Sequence, residues 1–358
     1  MLNRNKKVLC VNLGYCSGCV YYANSIIRNL TLEKEVWISN SCIEPYEFAE
    51  QKLKVAPGKL NFLWQSLLFL PWYSLKLFIL ILLHKYDSVI VFGPHGWDFI
   101  FLMLFRLCHR KAYYVVHDGI MHAGDDDIVH QKLLVLAMRI ASNHIFLSHY
   151  VQALVTDKLC ISKPYVVIPH GIISYSNNRE PICEYKKKPV LLMIGGISYY
   201  KGINLLIESL PLLNFDSIGE IIIAGSFAVN VPQPDISKYT KVRIVNKYLS
   251  SEEFDAFVRK SDFILMPYLE ATQSGVAAVS IGYAKPAIVT KVGAMEEQFG
   301  TAAYYMKSIT SIDLANAIHY AISDPQKYIK IRSELKDKCD ELSWSSLSQK
   351  LSEYICDK

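Results

Sequence analysis

The sequence predicts an α/β protein made of two Rossmann-like halves. Three observations lead there. Short apolar runs alternate with helical patterns, first from Lys7 to Ile168 and again from Val190 onward. Between the two series lies a polar, proline-punctuated stretch, Ser174 to Pro189 (SYSNNREPICEYKKKP), which reads as a linker. Glycines and ionisable residues follow directly after the apolar runs, at the edge where open parallel sheets bind ligands.

Length and composition agree. A chain of 358 residues is long for one core and suggests two domains. With 51% hydrophobic and 20% charged residues, disorder is excluded. The net charge of +5 is uneven: residues 1–180 hold 18 Lys/Arg against 13 Asp/Glu, and residues 181–358 hold 20 against 20. All the excess is N-terminal. No basic run exceeds Lys186-Lys187-Lys188, which argues against nucleic acid and leaves an anionic membrane surface as the partner for that charge. Nine irregularly spaced cysteines, and no signal peptide ahead of the first strand, place the chain in a reduced, cytosolic compartment. Cys16-x-x-Cys19 has no second pair to complete a metal site and reads as structural.

In the first half, Lys7 to Leu13 is a buried strand that ends in Gly14-Tyr15-Cys16-Ser17-Gly18. That loop is either a ligand loop or an ordinary β-α turn. A second strand spans Glu35 to Ser39. Asn61 to Leu83 is long and apolar enough for a span but carries Gln65, Ser66, Pro71, Ser74 and Lys76. We read it as a helix kinked near Pro71 and lying on a bilayer, with Trp64, Trp72 and Tyr73 as interfacial aromatics and Lys76 and Lys85 beside them; the competing reading is a fully buried helix. Strands Ser88 to Phe92 and Ala112 to Val116 then end at His95 and at His117-Asp118, with His122 and Asp125 to Asp127 beyond. His117 is the best candidate for site chemistry in this half, against a histidine satisfied by Asp118. The three aspartates read as a solvated loop rather than a metal site.

In the second half, Val190 to Ile194 runs into Gly195-Gly196-Ile197-Ser198-Tyr199-Tyr200-Lys201-Gly202 and a helix to about Leu210. Ser250-x-x-Glu253 is a capping box. The strand Phe263 to Met266 ends at Pro267, and Thr272-Gln273-Ser274-Gly275 open a helix that closes before Lys285-Pro286. Helix N-termini bind anions through unpaired N–H groups and the helix dipole, and small residues allow close approach. Thr272 and Ser274 add hydroxyls, and Lys201 is placed to meet the same anion.

Several motifs, in order and spacing, carry a resemblance. GGISYYKGINLLIESL, AGSF, SSEEFDAFVRKSD, PYLEATQSG, AKPAIVTKVGAMEE and LSWSSLSQKLSEY, with VVHDGIMHAGDD and VIPHG in the first half, resemble family 4 glycosyltransferases of the GT-B fold. The resemblance implies two Rossmann-like β/α/β domains facing across a cleft: 1–173 on the acceptor side, a linker at 174–189, 190–340 on the donor side, and a helix at 341–358 crossing back to the first. It implies retaining transfer from a nucleotide-sugar to a growing, lipid-linked surface glycan (capsule, O-antigen or exopolysaccharide), with no metal or other cofactor, at the inner face of the plasma membrane. By resemblance Lys201 contacts phosphate, Thr272 to Gly275 form the diphosphate turn, His117 lies by the transferred sugar, Gly14 lies in a loop facing donor and acceptor, and Glu297 is an acidic residue after a glycine turn. This sequence also departs from the family: Gly196 stands where relatives carry an arginine, and Ala271 and Val279 where they carry glutamates, leaving the adjacent Glu270 as a substitute. Those departures keep two alternatives open, a non-catalytic subunit that binds a partner transferase or glycan, and a GT-B epimerase or hydrolase.

Overall fold

The computed structural model describes residues 6–14, 17–42, 49–55, 58–120, 128–175 and 185–357. His122, Asp125, Asp126, Asp127 and most of the linker lie outside the described residues. The chain divides into two compact units, Met1–His170 with Trp344–Lys358, and Gly171–Ser343.

The first unit holds a seven-stranded parallel sheet in the order β3-β2-β1-β4-β5-β6-β7. Its strands are β1 (Lys7–Asn12), β2 (Glu33–Ser39), β3 (Gln51–Leu53), β4 (Ser88–Val91), β5 (Lys111–Val116), β6 (Asn143–Phe146) and β7 (Tyr165–Val167). Helices cover both faces, so these strands are continuous apolar runs rather than alternating ones. Successive residues of β1 show the division: Val8 and Cys10 join the core under helices α1 (Ser17–Asn29) and α13 (Trp344–Asp357), whereas Leu9 and Val11 join the core under α3 (Leu70–Leu82), α4 (Asp98–Leu107) and α5 (Ile128–Ile140). The C-terminal α13 is tied to this unit by the Ser348 hydroxyl, which donates to the Ile26 carbonyl at 3.1 Å, and by Lys6, whose ammonium donates to the Ile355 and Cys356 carbonyls at the helix's negative end.

The apolar stretch folds as two helices, α2 (Lys59–Leu68) and α3, meeting at 47°. The break falls at Phe69, and Pro71 sits in the first turn of α3, where its missing N–H costs nothing. Two expected members of a membrane face are turned elsewhere. Tyr73 is buried, and its hydroxyl accepts the Lys54 N–H at 3.0 Å. Lys85 pairs with Glu35 at 2.8 Å.

The second unit repeats the arrangement with a six-stranded parallel sheet, β10-β9-β8-β11-β12-β13. Here β8 is Val190–Ile194, β9 Glu220–Ala224, β10 Val242–Val245, β11 Phe263–Met266, β12 Ala287–Val289 and β13 Tyr304–Tyr305. Strand order reverses between β8 and β11, which pair directly. Helices α7 (Ile203–Ser209), α8 (Ser251–Lys260) and α9 (Gly275–Gly282) connect them, and the capping box of Ser250 and Glu253 starts α8 as the sequence indicates. Lys285, three residues past the end of α9, is buried and donates to the Arg259 and Ser261 carbonyls at the end of α8, at 2.9 and 2.8 Å. A cation there complements the helix's negative end.

Glycine is required where loops at the strand ends cross. Gly202 has φ +77°, and a Cβ there would collide with the Pro267 carbonyl. At Gly196 a Cβ would meet nothing within 4 Å. Gly202→Ala should therefore lower the thermal midpoint of this unit by roughly 5–15 °C, from overpacking and left-handed strain of about 2–4 kcal/mol. Gly196→Ala should leave it unchanged to about 1–2 °C, and calorimetric scans of the two variants check both outcomes.

Candidate active site

The second unit concentrates the predicted phosphate-binding groups at the point where its strand order reverses. From β8 the chain enters the Gly195 to Ser198 loop and a single 3-10 turn, Tyr199–Lys201. From β11 it passes Pro267 to Gln273 and enters α9 with Ser274 as N-cap. Leu269 donates its N–H to the Tyr200 carbonyl at 2.7 Å, which fastens the two loops together. Crevices at such reversals, outside the carboxyl ends of parallel strands, are where ligands bind.

Lys201 lies close to the start of α9. An ideal Cβ at Gly195 would stand 3.5 Å from the Lys201 Nζ and 3.4 Å from Cγ2 of Val276, the second residue of the helix. The ammonium also lies 5.9 Å from the Tyr268 ring centroid. Among the described residues it has no hydrogen-bond or ion-pair partner. Burial without a counter-charge disfavours the protonated amine and lowers its pKa from the ordinary lysine value to about 8.

The helix start is built to keep its donors free. Ser274 accepts the Ala277 N–H on its hydroxyl at 3.3 Å. Gln298, on α10 (Met295–Phe299), grips the Ser274 backbone from both sides: its Oε1 accepts the Ser274 N–H at 3.0 Å and its Nε2 donates to the Ser274 carbonyl at 3.2 Å. That leaves the N–H groups of Gly275 and Val276 with no acceptor among the described residues. A Cβ at Gly275 would meet only Ile173, at 3.8 Å, so packing does not demand glycine there. Thr272 and Ser274 are buried beside this turn, and Gln273 is partly buried. The Ser198 hydroxyl, in the β8 loop, is buried with no hydrogen-bond partner.

The other candidates of this unit differ in exposure. Glu270 and Glu297 are exposed. On α10, Gln298 holds the turn, and Glu296 pairs with Lys291 at 2.8 Å. Gly196 is exposed and unconstrained. Val279 and Ala271 are buried. Sequence reasoning missed Gln298 and Ser198; the only signal for either was a polar residue within two positions of a residue already singled out.

Gly14 and His117 belong to the first unit. Gly14 follows β1 and donates its N–H to the Asn12 side chain at 3.0 Å. His117 follows β5 in an aromatic surround: the Tyr22 ring lies edge-on at 5.3 Å, and Tyr22 also faces His170 and Trp344 at 5.8 and 5.7 Å. The His117 Nε2 is buried with no hydrogen-bond partner, and burial, with the nearby His170 second, pushes its pKa down to about 3. The imidazole is thus neutral at physiological pH, suited to hydrogen bonding with an uncharged group rather than to pairing with an anion. At the start of α4, buried Asp98 accepts the His95 N–H at 2.7 Å and the Tyr114 hydroxyl at 3.3 Å, and burial raises its pKa to about 7. Nothing in the sequence marked Asp98.

Comparisons with known proteins agree with this architecture. Residues 188–324 match the family model described as glycosyl transferases group 1. No curated protein matches the sequence significantly. Among solved structures, Anabaena HepE in complex with UDP superposes with a TM-score of 0.74 at 16% identity, over 98% of this chain and 100% of that one. The lipopolysaccharide outer core galactosyltransferase WaaB gives 0.72 at 12% identity, over 98% and 99%, and the sucrose-phosphate synthase of Thermosynechococcus elongatus 0.70 at 12%, over 98% of each chain. The chain has the GT-B fold.

A phosphate beside Lys201 would restore the ammonium's pKa toward the ordinary lysine range, near 10.4. Between about pH 8 and that range, binding of a nucleoside diphosphate should therefore take up a proton, and affinity should fall as pH rises through the free-protein value. Calorimetry at pH 7 and pH 9 in two buffers of different ionisation heat tests this. Buffer-dependent heat should appear at pH 9 and vanish in Lys201→Met; heats independent of pH would remove Lys201 from the site.

Proposed function

We propose that this protein is a retaining glycosyltransferase that moves a sugar from a nucleotide-sugar donor to a growing, lipid-linked surface glycan at the cytoplasmic face of the plasma membrane. The observation that carries the reading is the Lys201 ammonium, desolvated and without a counter-ion, beside the free N–H groups of α9 at the strand-order reversal. This constellation lies inside the stretch that matches the glycosyl transferase model. HepE, which shares the fold, was solved with UDP and with UDP-glucose, which supports a nucleotide-sugar donor.

The chemistry follows from charge. Breaking the bond between the anomeric carbon and the donor's diphosphate moves negative charge onto the departing phosphate oxygens. Lys201 and the Gly275 and Val276 amides are fixed donors for that charge, and in a water-poor crevice they act without reorganising. No metal or other cofactor enters this scheme, because the ammonium and the helix dipole neutralise the leaving group. The acceptor hydroxyl attacks on the face the diphosphate leaves and gives its proton to a leaving phosphate oxygen. His117, held neutral, hydrogen-bonds the transferred sugar. Gly14 belongs to the loop that faces donor and acceptor, and Glu270 and Glu297 take the sugar and nucleotide contacts left open by Ala271 and Val279.

Lys201→Ala should reduce kcat for sugar transfer by about 10²–10³-fold, the range for losing one oxyanion-stabilising donor, and weaken nucleoside diphosphate binding in parallel. Transfer is read as the mass added to lipid-linked glycans when the purified protein meets source-cell membranes and a panel of nucleotide-sugars. Wild-type turnover in the variant would sink the assignment. Absence of binding heat with every nucleoside diphosphate would leave a non-catalytic module.

A further inference from the structure

The polarity of α2 is inverted. Leu60, Leu63, Trp64, Leu67 and Leu68 recur at the spacing i, i+3, i+4, i+7, i+8, which marks the stripe a helix ordinarily turns to its core. All five are exposed, each by 60% or more. Polar Gln65 and Ser66 lie on the half-buried side, where the Ser66 hydroxyl accepts the Trp97 indole N–H at 2.8 Å and donates to the Phe62 carbonyl at 2.6 Å. The helix presents its apolar stripe to the outside and Gln65 and Ser66 to the protein.

The surface continues beyond α2. Helix α3 buries Leu70, Tyr73, Leu77 and Ile81 against the sheet and still exposes Trp72, Leu75, Ile79 and Leu82, so it is apolar on both sides. Ten large apolar side chains from Leu60 to Leu83 are each 47–75% exposed, more than a monomer in water ordinarily leaves in one patch. The neighbouring α4 adds Met103 and Leu107, and α5 adds Ile128, Val129 and Leu136.

Charge identifies what covers this face. Arg106, Lys132 and Arg139 stand exposed on α4 and α5, and Lys54 lies over the Phe69 ring at the bend between α2 and α3. The four helices contain a single carboxyl, that of Asp98, and it is buried. A protein partner's rim would carry polar groups and charges of both signs, whereas apolar bulk with two tryptophans, cations and no exposed carboxylate on the four helices matches an anionic lipid surface. Length excludes a crossing by either helix: α2 has 10 residues and α3 has 13, about 15 and 20 Å at the α-helical rise, against a hydrocarbon core of roughly 30 Å. Among the described residues no single helix is long and apolar enough to span. The inner face of α3 is moreover packed in the core of the first unit.

We propose that the outward face of α2 and α3, flanked by α4 and α5, lies flat on an anionic bilayer surface, with Trp64 and Trp72 seated among the headgroups. This inference does not depend on the glycosyltransferase reading, since it uses neither Lys201 nor α9.

The test uses the full chain in vesicle flotation, with phosphatidylcholine alone and with phosphatidylcholine containing phosphatidylglycerol. Wild type should float with the phosphatidylglycerol vesicles at least about tenfold better than with the neutral ones, and salt should reduce that preference. Trp64→Gln/Trp72→Gln should cut partitioning roughly tenfold or more, and Arg106→Glu/Lys132→Glu/Arg139→Glu should abolish the preference for phosphatidylglycerol. All five side chains are exposed, and an unchanged thermal midpoint would show that the variants remain folded. Wild type remaining in the aqueous fraction with both vesicles, or variants floating like wild type, would overturn the proposal. So would a concentration-dependent dimer abolished by the tryptophan substitutions in the absence of vesicle binding, which would assign the face to a second copy of the chain.

Discussion

A half-buried lysine ammonium with no counter-charge among the described residues is the constraint around which the second unit makes sense. Burying a cation costs several kcal/mol unless something offsets it, and a fold keeps such a group only where the surroundings over-determine its position. Around Lys201 they do. Gly202 lets the 3-10 turn press against Pro267, and Leu269 bonds back to Tyr200. Gln298 clamps the Ser274 backbone, and Ser274 in turn caps α9. Each of these contacts fixes a donor that faces no acceptor of its own.

The first unit uses burial differently. His117 follows β5 and Asp98 opens α4, and desolvation drives both toward their neutral forms, the histidine by losing its proton and the carboxyl by keeping it. The second unit, with Lys201 and a helix N-terminus, recognises charge. The two parallel sheets thus differ in electrostatic character at the ends of their strands.

Much of this could be read from the residues. Continuous apolar runs such as VLCVNL and SVIVF announced strands buried on both faces, and the Ser250 and Glu253 pair announced the start of α8. The two-residue β13 and three-residue β3 escaped, because runs so short carry no period and exist only through the neighbouring strand. In the candidate site, Lys201, Ser274 and Gly275 were legible from the loop-to-helix pattern. Gln298 was not: it acts on a backbone 24 residues away, and no local rule links the two. Tyr73 and Lys85 were placed on the outer face by proximity in sequence, yet the phase of α3 turns Tyr73 inward and Glu35 draws Lys85 aside.

The sequence by itself determined the two β-α series, the small-residue turn at the start of α9 and the periodic apolar stripe of Leu60 to Leu68, since each depends only on local spacing and backbone preference. Tertiary structure alone decided that Lys201 meets that turn without a counter-ion, and that the stripe faces outward rather than into the core. Both depend on which surfaces the sheet leaves uncovered. A helix's period shows that it has an apolar side; only the packing of the other elements shows which way that side points.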